Sequence, residues 1–422
     1  MNKYKTIETF AGAGGSFLGF KKAGFEACYV NDIDKDFLKT LKLNNKELSK
    51  IIVDDTPIEK IDFSQLRKKI GLKKKTLDVI FGGPVCKGYS LAGVRDPSDI
   101  RNTLYQYQIK LIKEFQPKIA LIENVPAMRG SLILKTNTKK TIVDEISYVY
   151  KQLDIFKGIK AKLRKEGNNL SPSEEIQYQK IKQKKDSFEE IIKENSISVI
   201  DDIESRLDDI GYKVKVANLN ASWFGSYTKR IRTIVSAVRK DINIDFNYPI
   251  ITHFSDNEKK NPQFEYAKNL KSFNTIKDAF KLLNGHKNSP ENDYDNKPML
   301  HSDKSVRRFK LIPKGKNFVD VMHKASKDLH ISKFYSRGCT MRLDDNYPSP
   351  TLVPGHSNFP VHPKEHRSIT VREAATITGF PTNYKFCGNH TKRCEQVGNA
   401  VPIHLSLALA NSCKNLLKKI DE

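Results

Sequence analysis

The stretch Val79-Ile-Phe-Gly-Gly-Pro-Val-Cys-Lys-Gly-Tyr-Ser90 decides how the rest of the chain is read. Leu77 to Phe81 is an apolar run of buried-strand length. Gly82, Gly83 and Pro84 end that strand, and Cys86 falls on the turn beyond it. Open α/β sheets bind their ligands past the carboxyl ends of their strands, where this cysteine stands. A cysteine taken alone is equally a small buried hydrophobe. The glycines before Cys86 and the polar residues after it describe a loop, which favours an exposed nucleophile.

Toward the N-terminus, short apolar runs alternate with helical patterns over the first 125 residues, the signature of a parallel sheet covered by helices. Lys5 to Phe10 reads as the first strand, and Phe10-Ala-Gly-Ala-Gly-Gly-Ser16 as a glycine turn into a helix. Glycines there let a ligand approach the backbone, or serve packing alone. A second strand, Ala27 to Val30, ends in Asn31-Asp-Ile-Asp34, with Asp32 about 20 residues past the turn, where a ribose diol is held in dinucleotide folds. Asp32 and Asp34 also suit a solvated helix N-terminus. A third run, Lys50 to Val53, ends in Asp54-Asp55-Thr56. Three strand ends, two of them acidic, outline a nucleoside pocket without a phosphate-binding lysine motif.

Composition narrows the partners. The 73 Lys+Arg outnumber 49 Asp+Glu, a formal net charge of +24. Such a surplus suits a polyanion such as nucleic acid, although a basic proteome or an anionic membrane surface gives the same sign. No run approaches the roughly 20 apolar residues of a membrane helix, and the first residues lack a signal-peptide core. The six cysteines (28, 86, 339, 387, 394 and 413) form no C-x-x-C pair, so neither a disulfide framework nor a metal site is expected. The reading is a cytoplasmic protein with reduced thiols and no membrane association.

Beyond Cys86, Arg95 to Leu104 leads into an amphipathic helix ending near Phe115, and strand Ile119 to Ile122 ends in Glu123-Asn-Val-Pro126. A carboxyl after an all-apolar strand suits a general acid, and equally a surface strand end. From Ser131 to about Ile197 the chain turns lysine-rich, with helical patterns at 142–166 and 172–195. Ser171-Pro172-Ser173-Glu174 has the residues of a capping box. This segment reads as an inserted helical hairpin whose lysines are a solvated face or a DNA contact. Arg230 and Arg232 share one side of an extended segment. There they suit a phosphate or a carbonyl oxygen, or guard an edge strand. Residues 241–335 carry no trustworthy period and read as irregular. Thr370 and Glu373 bracket a helix start, and Gln396-Val-Gly-Asn-Ala-Val-Pro402 precedes a last apolar helix, His404 to Leu417.

Six of these blocks, in this order, resemble the C5-cytosine DNA methyltransferases of bacterial restriction-modification systems. They are Phe10-Ala-Gly-Ala-Gly-Gly15, Gly82-Gly-Pro-Val-Cys86, Glu123-Asn-Val125, Arg230-Ile-Arg232, Arg367-Ser-Ile-Thr-Val-Arg-Glu373 and Gln396-Val-Gly-Asn-Ala-Val-Pro402. The resemblance spans 1–130, 200–240 and about 337–410. It implies an α/β fold: a Rossmann-like S-adenosylmethionine-dependent methyltransferase sheet with a smaller, irregular target-recognition domain. The expected division is a catalytic domain at 1–240 with an insertion at about 131–197, a target-recognition domain at 241–390, and a C-terminal helix, 391–422, completing the catalytic domain.

The resemblance also implies roles. Cys86 is the expected nucleophile on cytosine C6, and Glu123 the partner of N3 and the exocyclic amine. Arg232 is expected near the cytosine O2, with Arg230 its neighbour. The cytosine must leave the duplex stack to be reached. S-adenosyl-L-methionine, released as S-adenosyl-L-homocysteine, is expected against Phe10, Ala11, Gly12, Ala13, Gly14 and Gly15. Asp32 should hold its ribose, with Ile33, Asp55 and Thr56 around the adenine, and Gly83, Asn102, Leu104, Asn399 and Val401 completing the pocket. The implied partners are double-stranded DNA and a cognate restriction endonuclease, with a monomeric enzyme and no metal. Departures from the family's habit are Val85 for proline, Lys87 for glutamine, Tyr227-Thr228 for Pro-Gln, Asp32 for glutamate and Ile33 for an aromatic. Two other readings stand beside this one: a tRNA cytosine-5 methyltransferase, and a catalytically silent DNA-binding relative.

Overall fold

A computed structural model describes residues 3–84, 96–165, 167–284, 293–331, 338–355 and 359–422. Seven strands form one sheet: β1 (Lys5–Thr9), β2 (Glu26–Asn31), β3 (Ile52–Asp54), β4 (Val79–Gly82), β5 (Ile119–Asn124), β6 (Tyr212–Asn220) and β7 (Ile231–Arg239). Their order across the sheet is β3-β2-β1-β4-β5-β7-β6. The first five run parallel, and β7 lies antiparallel between β5 and β6. The chain moves outward from β1 to β3, then crosses back to β4 on the other side of β1. That reversal is the switch point at which such sheets bind ligands. It brings the glycine turn after β1 beside the Gly82–Pro84 turn after β4.

Alternation along the strands builds a core on each face. Ile7, Ile80, Ile122 and Val235 pack on one side with Ile109, Leu111, Ile203 and Leu207. Val79, Phe81, Leu121 and Ile234 pack on the other with Phe20, Leu405 and Leu409. The covering helices are α1 (Gly15–Lys22), α2 (Lys35–Asn44), α3 (Phe63–Lys69) and α4 (Leu104–Phe115).

After β5 the chain leaves the sheet as α5 (Lys140–Lys165), α6 (Pro172–Ser187) and α7 (Glu189–Asn195), returning through α8 (Val199–Asp209). Ser171 and Glu174 form the capping box that starts α6. The helical pattern at 172–195 is broken at Phe188, whose buried ring joins Ile146, Val149, Tyr150 and Leu153 in a separate small core. A short antiparallel pair, Leu132–Leu134 with Ser196–Ser198, ties off the base of this excursion.

The stretch without sequence period contains more order than its composition suggests. It holds α9 (Ile276–Lys281), α10 (Asp303–Leu311) and α11 (Phe318–Val321). Phe309, Ile312, Phe318, Val321, Leu329 and Val361 form its own small core. The chain ends through α12 (Val371–Thr378), α13 (His390–Asn399) and α14 (Ile403–Asp421). The Thr370–Glu373 capping box starts α12 as its sequence predicts. α14 runs against α1, and the Ser406 hydroxyl donates to Gly15 O at 2.9 Å. Among the described residues no helix is long and apolar enough to cross a membrane.

Candidate active site

The turn after β1 is fixed from three directions. Phe10, Gly12 and Gly14 all take positive φ, at 54°, 56° and 95°. For Phe10 this is an uncommon conformation, of the kind held only where the surroundings enforce it. Ala11 N donates to Asn31 O at 3.1 Å, Gly12 N donates to Asp32 Oδ2 at 2.8 Å, and the Tyr384 hydroxyl donates to Ala13 O at 2.7 Å. Gly15 lies against the Val401 carbonyl so closely that a Cβ would collide with it. A Cβ on Gly12 would meet nothing within 4 Å, so the space over the middle of the turn is open.

Asp32 braces this turn as well as bordering it. Its second oxygen accepts the Asp34 amide at 2.8 Å, and burial pushes its carboxyl above the usual range against the pull of those two amides. Beside it Ile33 is 65% exposed, an apolar side chain at a strand end with no packing partner of its own kind. Asp55 faces solvent with Lys35 3.4 Å away. Thr56 N donates to Asp54 Oδ1 at 2.9 Å, and Asn31 Nδ2 donates to Thr56 O at 2.8 Å. Beneath the turn Glu8 is buried, and the Ser16 hydroxyl donates to it. Burial pushes the Glu8 carboxyl up to about 8.

The second half of the site is the carboxyl end of β5. The register pairs Glu123 with Ile234 of β7, so Arg232, two residues along, projects from the same face and within reach. Arg232 Nε lies 2.5 Å from Glu123 Oε1, both side chains about nine-tenths buried. Glu123 Oε2 points toward Gly83, where a Cβ would stand 2.8 Å from it. A side chain at position 83 would therefore displace the carboxylate. Asn124 Nδ2 donates to Pro84 O at 3.0 Å and pins the start of the turn. Cys86, with Val85 and Lys87, lies outside the described residues. The chain is described again from Asp96, whose carbonyl accepts Asn102 Nδ2 at 2.8 Å. Leu104 opens α4, half-buried below this segment.

The two arginines of the Arg230–Arg232 segment share an inward face, with Lys229 and Ile231 exposed between them. Their partners differ. Arg230 reaches the carbonyls of Leu352 at 3.1 Å and Asn399 at 3.3 Å, joining β7 to the C-terminal segment. An edge-guarding role is excluded, because β7 is interior to the sheet. Asn399, the last residue of α13, is itself exposed, and Val401 is buried against Gly15. Lys392 Nζ donates to Asp34 Oδ2 at 2.7 Å, drawing α13 onto α2.

Sequence reasoning missed several residues that hold this site. Asn124 sits inside a noted motif, yet its grip on Pro84 needs the fold to be seen. Gln108, fully buried on α4, accepts the Thr9 hydroxyl and packs against Gly82 between the two turns. Tyr384 comes from a stretch with no recognisable pattern.

The geometry is that of a methyltransferase sheet with one buried carboxylate–guanidinium pair at its switch edge. The chain belongs to the C-5 cytosine-specific DNA methylase family, whose model matches residues 4–157 and 188–415. Its activity is that of a DNA (cytosine-5-)-methyltransferase. Similar curated proteins include the Type II methyltransferase M.Eco47II of Escherichia coli, 28% identical over 433 residues covering 100% of this chain and 81% of that protein. Another is the Type II methyltransferase M.PspPI of a Psychrobacter species, 27% identical, covering 98% and 80%. Among solved structures, a putative DNA modification methyltransferase encoded within an Escherichia coli prophage shares the fold. Its TM-score is 0.62 at 20% identity, over 99% of this chain and 100% of that one.

Proposed function

We propose that this chain methylates C5 of a cytosine flipped out of one short duplex-DNA word, with Cys86 as nucleophile and Glu123 and Arg232 as the groups that hold the base. The observation that carries this reading is the Glu123–Arg232 pair. One carboxylate oxygen is fixed by the guanidinium and the other faces the turn that leads to Cys86.

The Cys86 thiolate adds to C6, and the electron pair of the C5–C6 bond makes C5 nucleophilic. Glu123 hydrogen-bonds N3 and the exocyclic amine, where charge accumulates in that adduct. Arg232 keeps the carboxylate in place and lies near O2. Loss of the C5 proton to water and expulsion of the thiolate restore the ring after methylation. Lys87, one residue from the thiol, favours its ionised form.

The described residues fit S-adenosylmethionine, which supplies an electrophilic methyl group. Open space above Gly12 admits its methionine end, exposed Ile33 offers an apolar face to the adenine, and Asp55 an acceptor to the adenine amine. Asp32 borders the ribose while holding the turn. Phe10, Gly83, Asn102, Leu104, Thr56, Asn399 and Val401 close the pocket. The Type II relatives support a cytoplasmic restriction-modification setting with a partner endonuclease, and the net charge of +24 supports duplex DNA as the polyanion.

The test is bisulfite sequencing of unmethylated plasmid, and of a tRNA pool, after incubation with protein and S-adenosylmethionine. Methylated cytosines confined to one DNA word, lost with Cys86→Ala, are expected. Marks in tRNA alone would replace this reading with the RNA one. DNA binding without any mark would leave only a scaffold.

A further inference from the structure

We propose that the α5–α6 hairpin is a second DNA-binding surface, one that grips the phosphate backbone of duplex flanking the methylated site. This rests on duplex DNA being the substrate. The family model leaves out residues 158–187, so this arm is an addition to the family's common body.

Its root is at the catalytic edge. The hairpin leaves the sheet just after β5, the strand that carries Glu123, and its basal strand Leu132–Leu134 donates from Leu134 N to Pro97 O at 3.3 Å. Pro97 lies in the segment that emerges from the Cys86 loop. DNA held over that edge therefore passes the base of the arm. α5 has 26 residues, which at 1.5 Å each makes it about 39 Å long, equal to about 11 base pairs at 3.4 Å each.

The arm is self-supporting and basic. α6 folds back along α5, with Lys160 bonded to Glu175 at 3.1 Å and the rings of Phe156 and Tyr178 5.8 Å apart. Between residues 151 and 185 there are 10 Lys+Arg and 4 Asp+Glu. Two of those four acids are engaged within the hairpin, Glu174 in the capping box and Glu175 by Lys160. On α5, Lys151, Ile155, Gly158 and Lys162 are all exposed and recur at one-face spacing. On α6, Lys180 and Lys184 are exposed one turn apart. Among the described residues no ion pair engages Lys151, Lys162, Lys180 or Lys184. Gly158 disfavours the helix, and nothing lies within 4 Å of where its Cβ would be. A bare backbone at the middle of a lysine stripe lets a phosphate strand approach the helix closely. These features describe a cationic face with the substrate's charge as its complement.

The test measures DNA affinity by fluorescence anisotropy across a salt series. It compares the full chain with a variant carrying Lys151→Gln, Lys162→Gln, Lys180→Gln and Lys184→Gln. Glutamine keeps the helix propensity and removes the charge. One duplex, of about 12 base pairs, covers the site alone, and the other, of about 40, also spans the arm. On the long duplex the variant should bind at least about tenfold more weakly, with a log–log salt slope smaller by about 3, since each phosphate contact contributes about 0.9. On the short duplex both proteins should bind and methylate alike, and the matching Lys→Arg variant should restore the slope. Equal affinities and slopes on the long duplex would overturn the proposal. If the unaltered chain binds but methylates neither duplex, the activity reading falls while the slope comparison still decides the arm.

Discussion

At the carboxyl edge of the sheet Glu123 meets a single arginine and keeps its other oxygen turned to Gly83. Around α12 a second buried group of the same chemistry is built to saturation. Arg372 reaches Asp293 Oδ2 at 2.7 Å, Asp293 Oδ1 at 3.1 Å, Asp295 Oδ2 at 3.4 Å and the Tyr384 carbonyl at 2.6 Å. Asp295 also takes Arg393 at 2.9 Å and the Phe386 amide at 3.1 Å. Both groups are about equally buried, so burial does not separate a working carboxylate from a structural one. Open hydrogen-bonding capacity does. A buried charge with every acceptor filled locks segments together, and one with an acceptor facing a cleft is prepared for a partner that arrives later.

This contrast can be broken by experiment. Arg372→Met should be the most costly to the fold, about 3–5 kcal/mol, because it strands Asp293 and Asp295 in the interior. Urea unfolding should show the loss, while methylation per folded molecule at low temperature stays near normal. Glu123→Gln should do the reverse. Turnover should fall by about 10²–10³, the scale for losing one group that stabilises developing charge, with little change in the unfolding midpoint.

Glu8 is the third case, a buried acid with no cation in contact. Its carboxyl is raised from the ordinary 4.5 to about 8, chiefly by burial. Below pH 4.5 the proton is bound in both folded and unfolded chains. As pH rises toward 8 only the folded chain keeps it, so stability falls by up to about 1.4 kcal/mol per pH unit in that window. Unfolding midpoints of Glu8→Gln measured from pH 5 to 8 should lack this decline. The smallest effect expected is Gly158→Ala, a gain of about 0.5–1 kcal/mol in a helix with open space at that position, read as a higher melting temperature.

The same contrast explains what the sequence disclosed. Strands such as Val79–Gly82 and Ile119–Asn124 are readable because an apolar run between turn residues is a local signal. The caps at Ser171 and Thr370 are readable because donor and acceptor lie three residues apart. That Arg230 and Arg232 share a face also follows from alternation. Their partners do not, since Glu123 is reached through the β5–β7 register and Leu352 and Asn399 through the return of the C-terminal segment. Asp293 and Asp295 sit in a stretch with no period, and only tertiary packing reveals that they receive Arg372. The break at Phe188 was hidden for a similar reason: the helical period continues through it, and its burial depends on α5.

The central claim is that the edge at Glu123 and Arg232 serves a covalent step made by Cys86. The most direct measurement uses duplex DNA carrying 5-fluorocytosine at the methylated position, incubated with protein and S-adenosylmethionine and run on a denaturing gel. Fluorine at C5 cannot leave as a proton, so an adduct through C6 persists after methyl transfer. The account predicts a denaturant-stable, one-to-one protein–DNA complex with the unaltered chain and none with Cys86→Ala. A stable complex that survives Cys86→Ala, or none with a chain that still methylates ordinary DNA, would contradict it.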